Sequence, residues 1–150
     1  NGFGTDTASV IVNVACTPPS DIVSITASPV TTTSIRVTYA ESGDDGDVGF
    51  AQSFELRYRK GATFTLSDWA TATPGPALPS PTGPGTPHTV EVIGLELGTA
   101  YAFAIRATDS GGCVSGVTGA ATASTFGLAN RIIGVQVGVD PIRVKMGGRP

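Results

Sequence analysis

Acidic side chains crowd into one glycine-containing stretch of the chain. Residues 41–50 read E-S-G-D-D-G-D-V-G-F, and Asp109 enters a second glycine-containing turn. Carboxylate oxygens at alternating positions suit Ca²⁺, and Gly43 and Gly46 permit the tight turns that would gather them. The spacing does not follow the EF-hand loop, and a solvated acidic turn whose side chains bond their own backbone is the alternative. The ligands predicted for calcium are Glu41, Asp44, Asp45, Asp47 and Asp109.

Side chains for acid–base or nucleophilic catalysis are scarce. His88 is the single histidine and directly follows Pro87, and spacing identifies no Ser or Cys partner for it. We expect it to be a solvent-facing strand residue. Glycoside hydrolysis needs two carboxylates across a cleft, whereas most of these acidic residues share one loop. Packing in the core explains the aromatic residues Trp69, Tyr58 and Tyr101 better than stacking against a sugar does. With no group of catalytic side chains identified, we predict a non-catalytic chain.

Composition and charge narrow the class of protein. The 150 residues include 9 Lys and Arg against 12 Asp and Glu, with no basic cluster, which argues against nucleic-acid binding. No apolar run is long enough to insert into a membrane. The 20 Gly and 11 Pro residues favour a turn-rich all-β fold over a helical one. Abundant small polar residues are typical of exported proteins, and a start at Asn1 indicates a processed chain or a piece of a longer one.

Apolar and polar residues alternate with a period of two over short segments separated by Gly, Pro, Asp and Ser. Ile35, Val37 and Tyr39, for example, lie on one face of their segment. Seven strands in this arrangement predict an immunoglobulin-like sandwich. The segments are 22–27, 34–39, 54–59, a short edge segment around Trp69, 89–93, 100–107 and 118–125.

One segment resembles the fibronectin type III signature. Residues 95–107 read L-E-L-G-T-A-Y-A-F-A-I-R-A, which is similar to L-x-P-x-T-x-Y-x-F-x-V-x-A, with Leu97 in place of the usual proline. The loop at 41–50 and the following E-L-R-Y strand resemble a subtype found in large secreted bacterial proteins. The resemblance covers residues 20–126. It implies a non-catalytic extracellular module in which Tyr101 forms the tyrosine corner between two strands.

In such a sandwich, the segment before the first strand and the turn near Cys113 lie at the same end of the domain. Cys16 and Cys113 could then approach within the distance that a disulfide needs. We predict this bridge, which implies an oxidising compartment. Two free thiols, or bonds to another chain, are the alternatives.

Both ends of the chain carry alternating apolar runs outside the predicted sandwich. The domain division is 1–19 for an N-terminal strand and proline linker, 20–126 for the sandwich and 127–150 for a C-terminal strand segment. Free edge strands invite aggregation, so something must cover these runs. They belong either to neighbouring domains of a longer chain or to neighbouring copies that receive them by strand addition. The residues predicted for assembly are Val10, Val12, Val14, Ile133, Val135, Val137 and Val139.

Two further segments could contact a partner. Residues 74–87 hold six prolines and predict a stiff surface loop, or else a segment packed on a neighbouring subunit. Small residues on the outward face of the last two strands predict a packing surface for another module. These are Ala102, Ala104, Ala121 and Ala123.

The prediction is therefore an all-β, seven-stranded, immunoglobulin-like (fibronectin type III) sandwich with extra strands at both ends. The predicted function is that of a non-catalytic, secreted or cell-surface bacterial structural protein that packs against its neighbours or exchanges strands with them to build a fibre or layer. The alternative is a spacer or accessory module of a larger secreted enzyme or adhesin. The expected partners are other copies of itself or adjacent β-sandwich domains, and calcium is the only cofactor that the pattern suggests.

Overall fold

A computed structural model describes residues 16–117 and 119–128, and it has two β-sheets that face each other as a sandwich. The all-β prediction is therefore confirmed. In the described residues, no helix is long and apolar enough to cross a membrane. The strands are β1 (Ile25–Pro29), β2 (Ser34–Ala40), β3 (Ser53–Lys60), β4 (Thr73–Pro74), β5 (Pro87–Ile93), β6 (Ala100–Thr108) and β7 (Ala121–Ser124).

All strand pairs are antiparallel. One sheet has the order β1-β2-β5 and the other the order β4-β3-β6-β7. Residues that face each other across an antiparallel pair point to the same side of the sheet. The register of Tyr58 with Phe103, and of Leu56 with Ile105, therefore places these apolar side chains together.

The main core lies between the two sheets. Its centre comprises Ile35 and Val37 from one sheet and Phe103 and Ile105 from the other, and all four side chains are fully buried. Alternate residues of these strands supply the core, as the period of two predicts. Burial of so many β-branched and aromatic side chains is the main source of stability in a fold of this kind.

The segment around Trp69 differs from the edge strand that the sequence predicts. Residues Leu66–Asp68 form a short 3₁₀ helix, and the edge strand is β4, which comes after the helix. Asp68 explains the difference, because its carboxylate accepts a hydrogen bond from the Thr65 N–H at 2.8 Å and closes a helical turn. The first and last prolines of the run at 74–87 lie in the sheets, although the sequence predicts a surface loop there. Pro74 pairs with β3 and Pro87 pairs with β2. An edge strand tolerates proline because one side of it needs no partner.

The sandwich has two ends, which we call the upper and lower poles. The upper pole contains the loop at 41–52, the loop at 80–87 and the turn at 109–114, together with the chain near Cys16. The lower pole contains the turn at 30–33, the connection at 94–99 and residues 125–128. Backbone hydrogen bonds join the lower-pole segments, since the Phe126 N–H donates to Thr31 and the Gly98 N–H donates to Phe126.

Candidate functional site

A disulfide joins Cys16 to Cys113 at the upper pole, as the sequence predicts. The two Cα atoms lie 6.2 Å apart, and the cysteines are separated by 97 positions in the sequence. The turn that carries Cys113 is built by Asp109, whose backbone N–H donates to the Cys113 carbonyl and whose carboxylate accepts the Cys113 N–H at 2.7 Å. Gly112 adopts a φ of 86°, a left-handed conformation that favours glycine. The bridge attaches the segment before β1 to this turn.

An open cleft lies beside the disulfide. Asp44 lines the cleft and connects the loop at 41–52 to the turn at 109–114. Its carboxylate accepts the Ser110 N–H at 2.8 Å and the Ser110 hydroxyl at 2.9 Å. Two such hydrogen bonds hold a carboxylate in a fixed position between the loops. The cleft is lined by Cys16, Thr17, Asp44, Asp45, Asp109, Ser110 and Gly111.

The five residues predicted as calcium ligands do not all converge. Asp44, Asp45 and Asp109 line the cleft, whereas Asp47 is exposed on its loop and Glu41 faces another segment. Within the described residues, the one group of three or more metal-ligand side chains within 4.8 Å of one another comprises Cys16, Asp109 and Cys113. Both sulfur atoms of that group are already bonded to each other. Glu41 thus does not belong with the other carboxylates, and calcium binding stays a prediction.

Glu41 instead anchors the proline-rich loop. Its side chain is 0% exposed, and its oxygens accept the Thr82 N–H at 2.8 and 3.0 Å and the Gly83 N–H at 2.5 Å. His88 Nε2 lies 2.5 Å from Oε1. The backbone repeats the connection, since the Gly85 N–H donates to the Glu41 carbonyl and the Glu41 N–H donates to Thr86. We call the contacts of Glu41 with Thr82, Gly83 and His88 the Glu41 clamp.

The clamp has clear electrostatic consequences. Burial by itself would raise the pKa of Glu41, but the N–H groups of Gly83 and Thr82 and the His88 ring outweigh it and lower that pKa below the ordinary 4.5. Burial, reinforced by the negative charge of Glu41, raises the pKa of Tyr39 to about 12. Glu41 is therefore held ionised and Tyr39 is held neutral near pH 7.

His88 is not the solvent-facing residue that the sequence predicts. Its side chain is 15% exposed, and its ring packs against Tyr39 with 5.6 Å between ring centroids. The reason is the register of β5, in which His88 stands opposite Tyr39 and points to the same side of the sheet. The sequence offers only a weak signal for the clamp, a glutamate directly after a strand and one histidine.

The prediction that small residues of the last two strands form an outward packing surface is wrong. Ala102 and Ala104 are 0% exposed because the chain covers them itself, with a second apolar cluster on the outer face of the four-stranded sheet. Ala121 and Ala123 lie on the opposite, inner face, since they stand across from Phe103 and Tyr101. The short β7 strand has the sequence A-T-A-S, whose small residues do not specify which face points inward.

Trp69 is the centre of this outer cluster. The guanidinium groups of Arg57 and Arg106 each lie 5.2 Å from its ring centroid. Arg57 also donates to the Trp69 carbonyl at 2.8 Å, which fixes the loop on the sheet. These cation–π and hydrogen-bond contacts hold the ring over the alanines. The other members of the cluster are Phe64, Ala72, Ala102, Ala104 and Val117.

Tyr101 takes the position that the fibronectin type III resemblance implies for it. Its hydroxyl accepts the Glu96 N–H at 3.0 Å, and the side chain is buried. Thr125 completes the contact by donating its hydroxyl to the Glu96 carbonyl at 2.6 Å and accepting the Thr99 N–H at 3.0 Å. The connection between β5 and β6 is thereby fastened to the chain beyond β7.

The residues predicted for strand exchange all lie outside the described part of the chain, and their role stays a prediction. They are Val10, Val12, Val14, Ile133, Val135, Val137 and Val139.

The structure places this protein in the class of all-β sandwiches, with two sheets and one disulfide in the described residues. No family model matches the chain. Endoglucanase B of Cellulomonas fimi is 35% identical over 115 residues, which are 73% of this chain but 10% of that protein. The chain thus spans a small part of the relative that it matches.

A comparison with solved structures finds matches of low sequence identity, two of which are as follows. The sensor domain of the anti-sigma factor RsgI4 of Pseudobacteroides cellulosolvens has a TM-score of 0.44 and 18% identity, over 69% of this chain and 94% of that one. The FN1–FN3 domains of chicken CNTN1 have a TM-score of 0.47 and 13% identity, over 68% of this chain and 30% of that one.

Proposed function

We propose that the chain is a non-catalytic accessory module that spaces or positions other parts of a larger exported protein. The observation that carries this proposal is the 35% identity to a segment that makes up only 10% of Endoglucanase B. A segment of that length is the size of one domain, whereas a protein roughly ten times longer has room for several. Its catalytic activity can therefore belong to another part of that protein.

The contacts of the polar side chains support a structural role. Glu41 and His88 form an acid–base pair of the type that enzymes use, yet the carboxylate is 0% exposed and its oxygens accept backbone N–H groups. A general base must reach a proton of the substrate, and a fully buried carboxylate does not. The pair stabilises a loop instead. Asp44 and Asp109 likewise accept hydrogen bonds from the upper-pole turn.

The Cys16–Cys113 disulfide supports an exported, extracellular location. Disulfides persist in oxidising compartments and are rare in the cytosol of most organisms. The match to a Cellulomonas fimi protein supports a bacterial source, as the sequence predicts.

Assembly into a fibre or layer is the competing proposal, and the described residues weaken it. Of the small residues that would receive a neighbour, Ala102 and Ala104 are buried in the cluster around Trp69, and Ala121 and Ala123 lie on the inner face of the sheet. The remaining support for assembly is the apolar alternation near the two ends of the sequence.

The purified 150-residue chain distinguishes these roles. We expect light scattering to report a monomer and a soluble cellulose derivative to remain uncleaved. Filaments or large oligomers would establish assembly and overturn the spacer proposal, and cleavage would show an enzyme. Repeating the light scattering with a calcium chelator tests whether the acidic cleft influences the size of the particle.

A further inference from the structure

Apolar side chains are exposed together at the lower pole. Leu97, Phe126 and Leu128 have 50%, 50% and 75% of their surface exposed, and we call these three residues the basal patch. Single exposed apolar residues are common on protein surfaces, but a group of large ones marks a contact surface.

The backbone holds the basal patch in a defined arrangement. The Gly98 N–H donates to the Phe126 carbonyl at 3.2 Å, which brings Leu97 and Phe126 together. A Cβ atom on Gly98 would lie 3.5 Å from the Cα of Gly127, so the two segments are in contact without an intervening side chain. The Phe126 N–H donates to Thr31 and fastens the same segment to the turn after β1. The patch is therefore a fixed surface.

The chain itself supplies an apolar segment beside this surface. The described residues end at Leu128, inside the patch, and the sequence continues with residues 129–150. Its first apolar run is I-I-G-V-Q-V-G-V at 132–139, in which every second residue from Ile133 onward is apolar. Five residues span at most about 18 Å, so Ile133 cannot lie farther than that from Leu128.

We propose that residues 132–139 pack against the basal patch of the same chain. The basal patch is apolar, and the segment has an apolar residue at every second position from Ile133 onward. Packing the segment against the patch would remove apolar side chains of both from water. Such docking would fix the direction in which the chain leaves the sandwich. In this respect the inference rests on the proposed spacer function, because a spacer sets the position of the next part of the protein.

Hydrogen–deuterium exchange of the complete 150-residue chain tests the proposal. We expect backbone amides in 132–139 to exchange at least about tenfold more slowly than unstructured amides, the protection that burial of one large side chain can provide. The double variant Leu97→Ser/Phe126→Ser should lose that protection. The single variant Leu128→Ser, at a more exposed position, should lose part of it without threatening the fold.

Val48→Ser/Phe50→Ser is the matched control. These upper-pole side chains are 73% and 65% exposed, so their replacement removes comparable apolar surface far from the patch. Protection of 132–139 should be unchanged in this variant. Exchange at the unprotected rate in the natural chain, or equal protection in both double variants, would overturn the proposal.

The concentration dependence separates this inference from other occupants and from the proposed function. Protection that disappears on dilution would assign the patch to a segment of a second copy and overturn docking within one chain. A monomer without activity but with unprotected 132–139 would leave the accessory role intact and remove only the docking. A monomer that cleaves cellulose and has a protected 132–139 segment would overturn the accessory role and leave the docking proposal intact.

Discussion

The upper and lower poles are held by different chemistry. At the upper pole, a covalent bond joins Cys16 to Cys113, and the carboxylates of Glu41 and Asp44 accept hydrogen bonds from the surrounding loops. At the lower pole, the part-buried side-chain contacts are neutral hydrogen bonds, in which Tyr101 accepts the Glu96 N–H and Thr125 donates to the Glu96 carbonyl. The ion pair between Lys60 and Glu96 at this pole is exposed, and such pairs contribute little to stability. Charge-assisted hydrogen bonds are stronger than neutral ones, and a disulfide acts on the unfolded state as well. The upper pole is therefore the more strongly cross-linked of the two.

Large apolar side chains are exposed at both poles, with Val48 and Phe50 at the upper pole and the basal patch at the lower pole. Removing individual contacts at each pole tests whether the upper-pole contacts contribute more to the free energy of unfolding than the lower-pole contacts do.

Removing the disulfide should have the largest effect. The double variant Cys16→Ser/Cys113→Ser should lower the free energy of unfolding by about 2–4 kcal/mol, because the bridge restricts a long loop in the unfolded chain. Thermal unfolding measured by circular dichroism reports the change. Reductant should lower the melting temperature of the natural chain and leave that of the variant unchanged. Equal melting temperatures for the two proteins would mean that the upper pole does not depend on its covalent bond.

Neutralising the buried carboxylate should come next. Glu41→Gln keeps the shape but removes the charge that Thr82, Gly83 and His88 stabilise, and should cost about 1.5–3 kcal/mol in urea unfolding. Glu91→Gln is the matched control, because Glu91 is an exposed glutamate on β5 and its replacement should change stability by no more than about 0.5 kcal/mol. A similar cost for both variants would show that the Glu41 clamp contributes no specific stability.

Removing the corner hydroxyl should have a smaller effect. Tyr101→Phe deletes one neutral hydrogen bond to the Glu96 N–H and should cost about 1 kcal/mol. Tyr58→Phe, at a neighbouring half-buried ring, serves as the control in the same urea titration. A loss for Tyr101→Phe larger than that for Glu41→Gln would reverse the proposed order of the two poles.

The pH dependence should be the smallest effect, because only the difference between folded and unfolded pKa values contributes to it. The folded pKa of Glu41 lies below its ordinary 4.5, so its contribution is complete above pH 4.5 and is lost as the pH falls through the folded value. Urea unfolding between pH 6 and about pH 3 should therefore show a steeper decline for the natural chain than for Glu41→Gln. Parallel curves would contradict the lowered pKa.

The sequence predicts the strands well and the loops poorly. The runs around Val37, Leu56 and Phe103 alternate between large apolar and polar residues, and the period of two assigns their inward faces without further information. The four-residue β7 strand lacks this contrast, so its two alanines were assigned to the wrong face. Asp68 diverts the Trp69 segment into a helical turn, an effect of one local hydrogen bond that the expected edge strand did not include.

The same division applies to the candidate site. The cysteine pair and Tyr101 were predictable, because the resemblance to fibronectin type III places them at known ends of a sandwich. The Glu41 clamp was not, because Glu41 and Thr82 are 41 positions apart and meet only after β2 and β5 pair. Proximity in the sequence suggested a shared calcium site for Glu41 and Asp44, whereas folding directs their side chains to different loops.

The sequence by itself predicted an all-β sandwich compatible with a disulfide, with fewer basic than acidic residues. Alternation, turn residues and net charge are local properties of the chain, which explains why they can be read before the fold is known. Only the tertiary structure decided which faces are free. It buried Ala102 and Ala104 with Trp69, enclosed Glu41 and left the basal patch exposed, because burial depends on contacts between residues that are distant in the sequence.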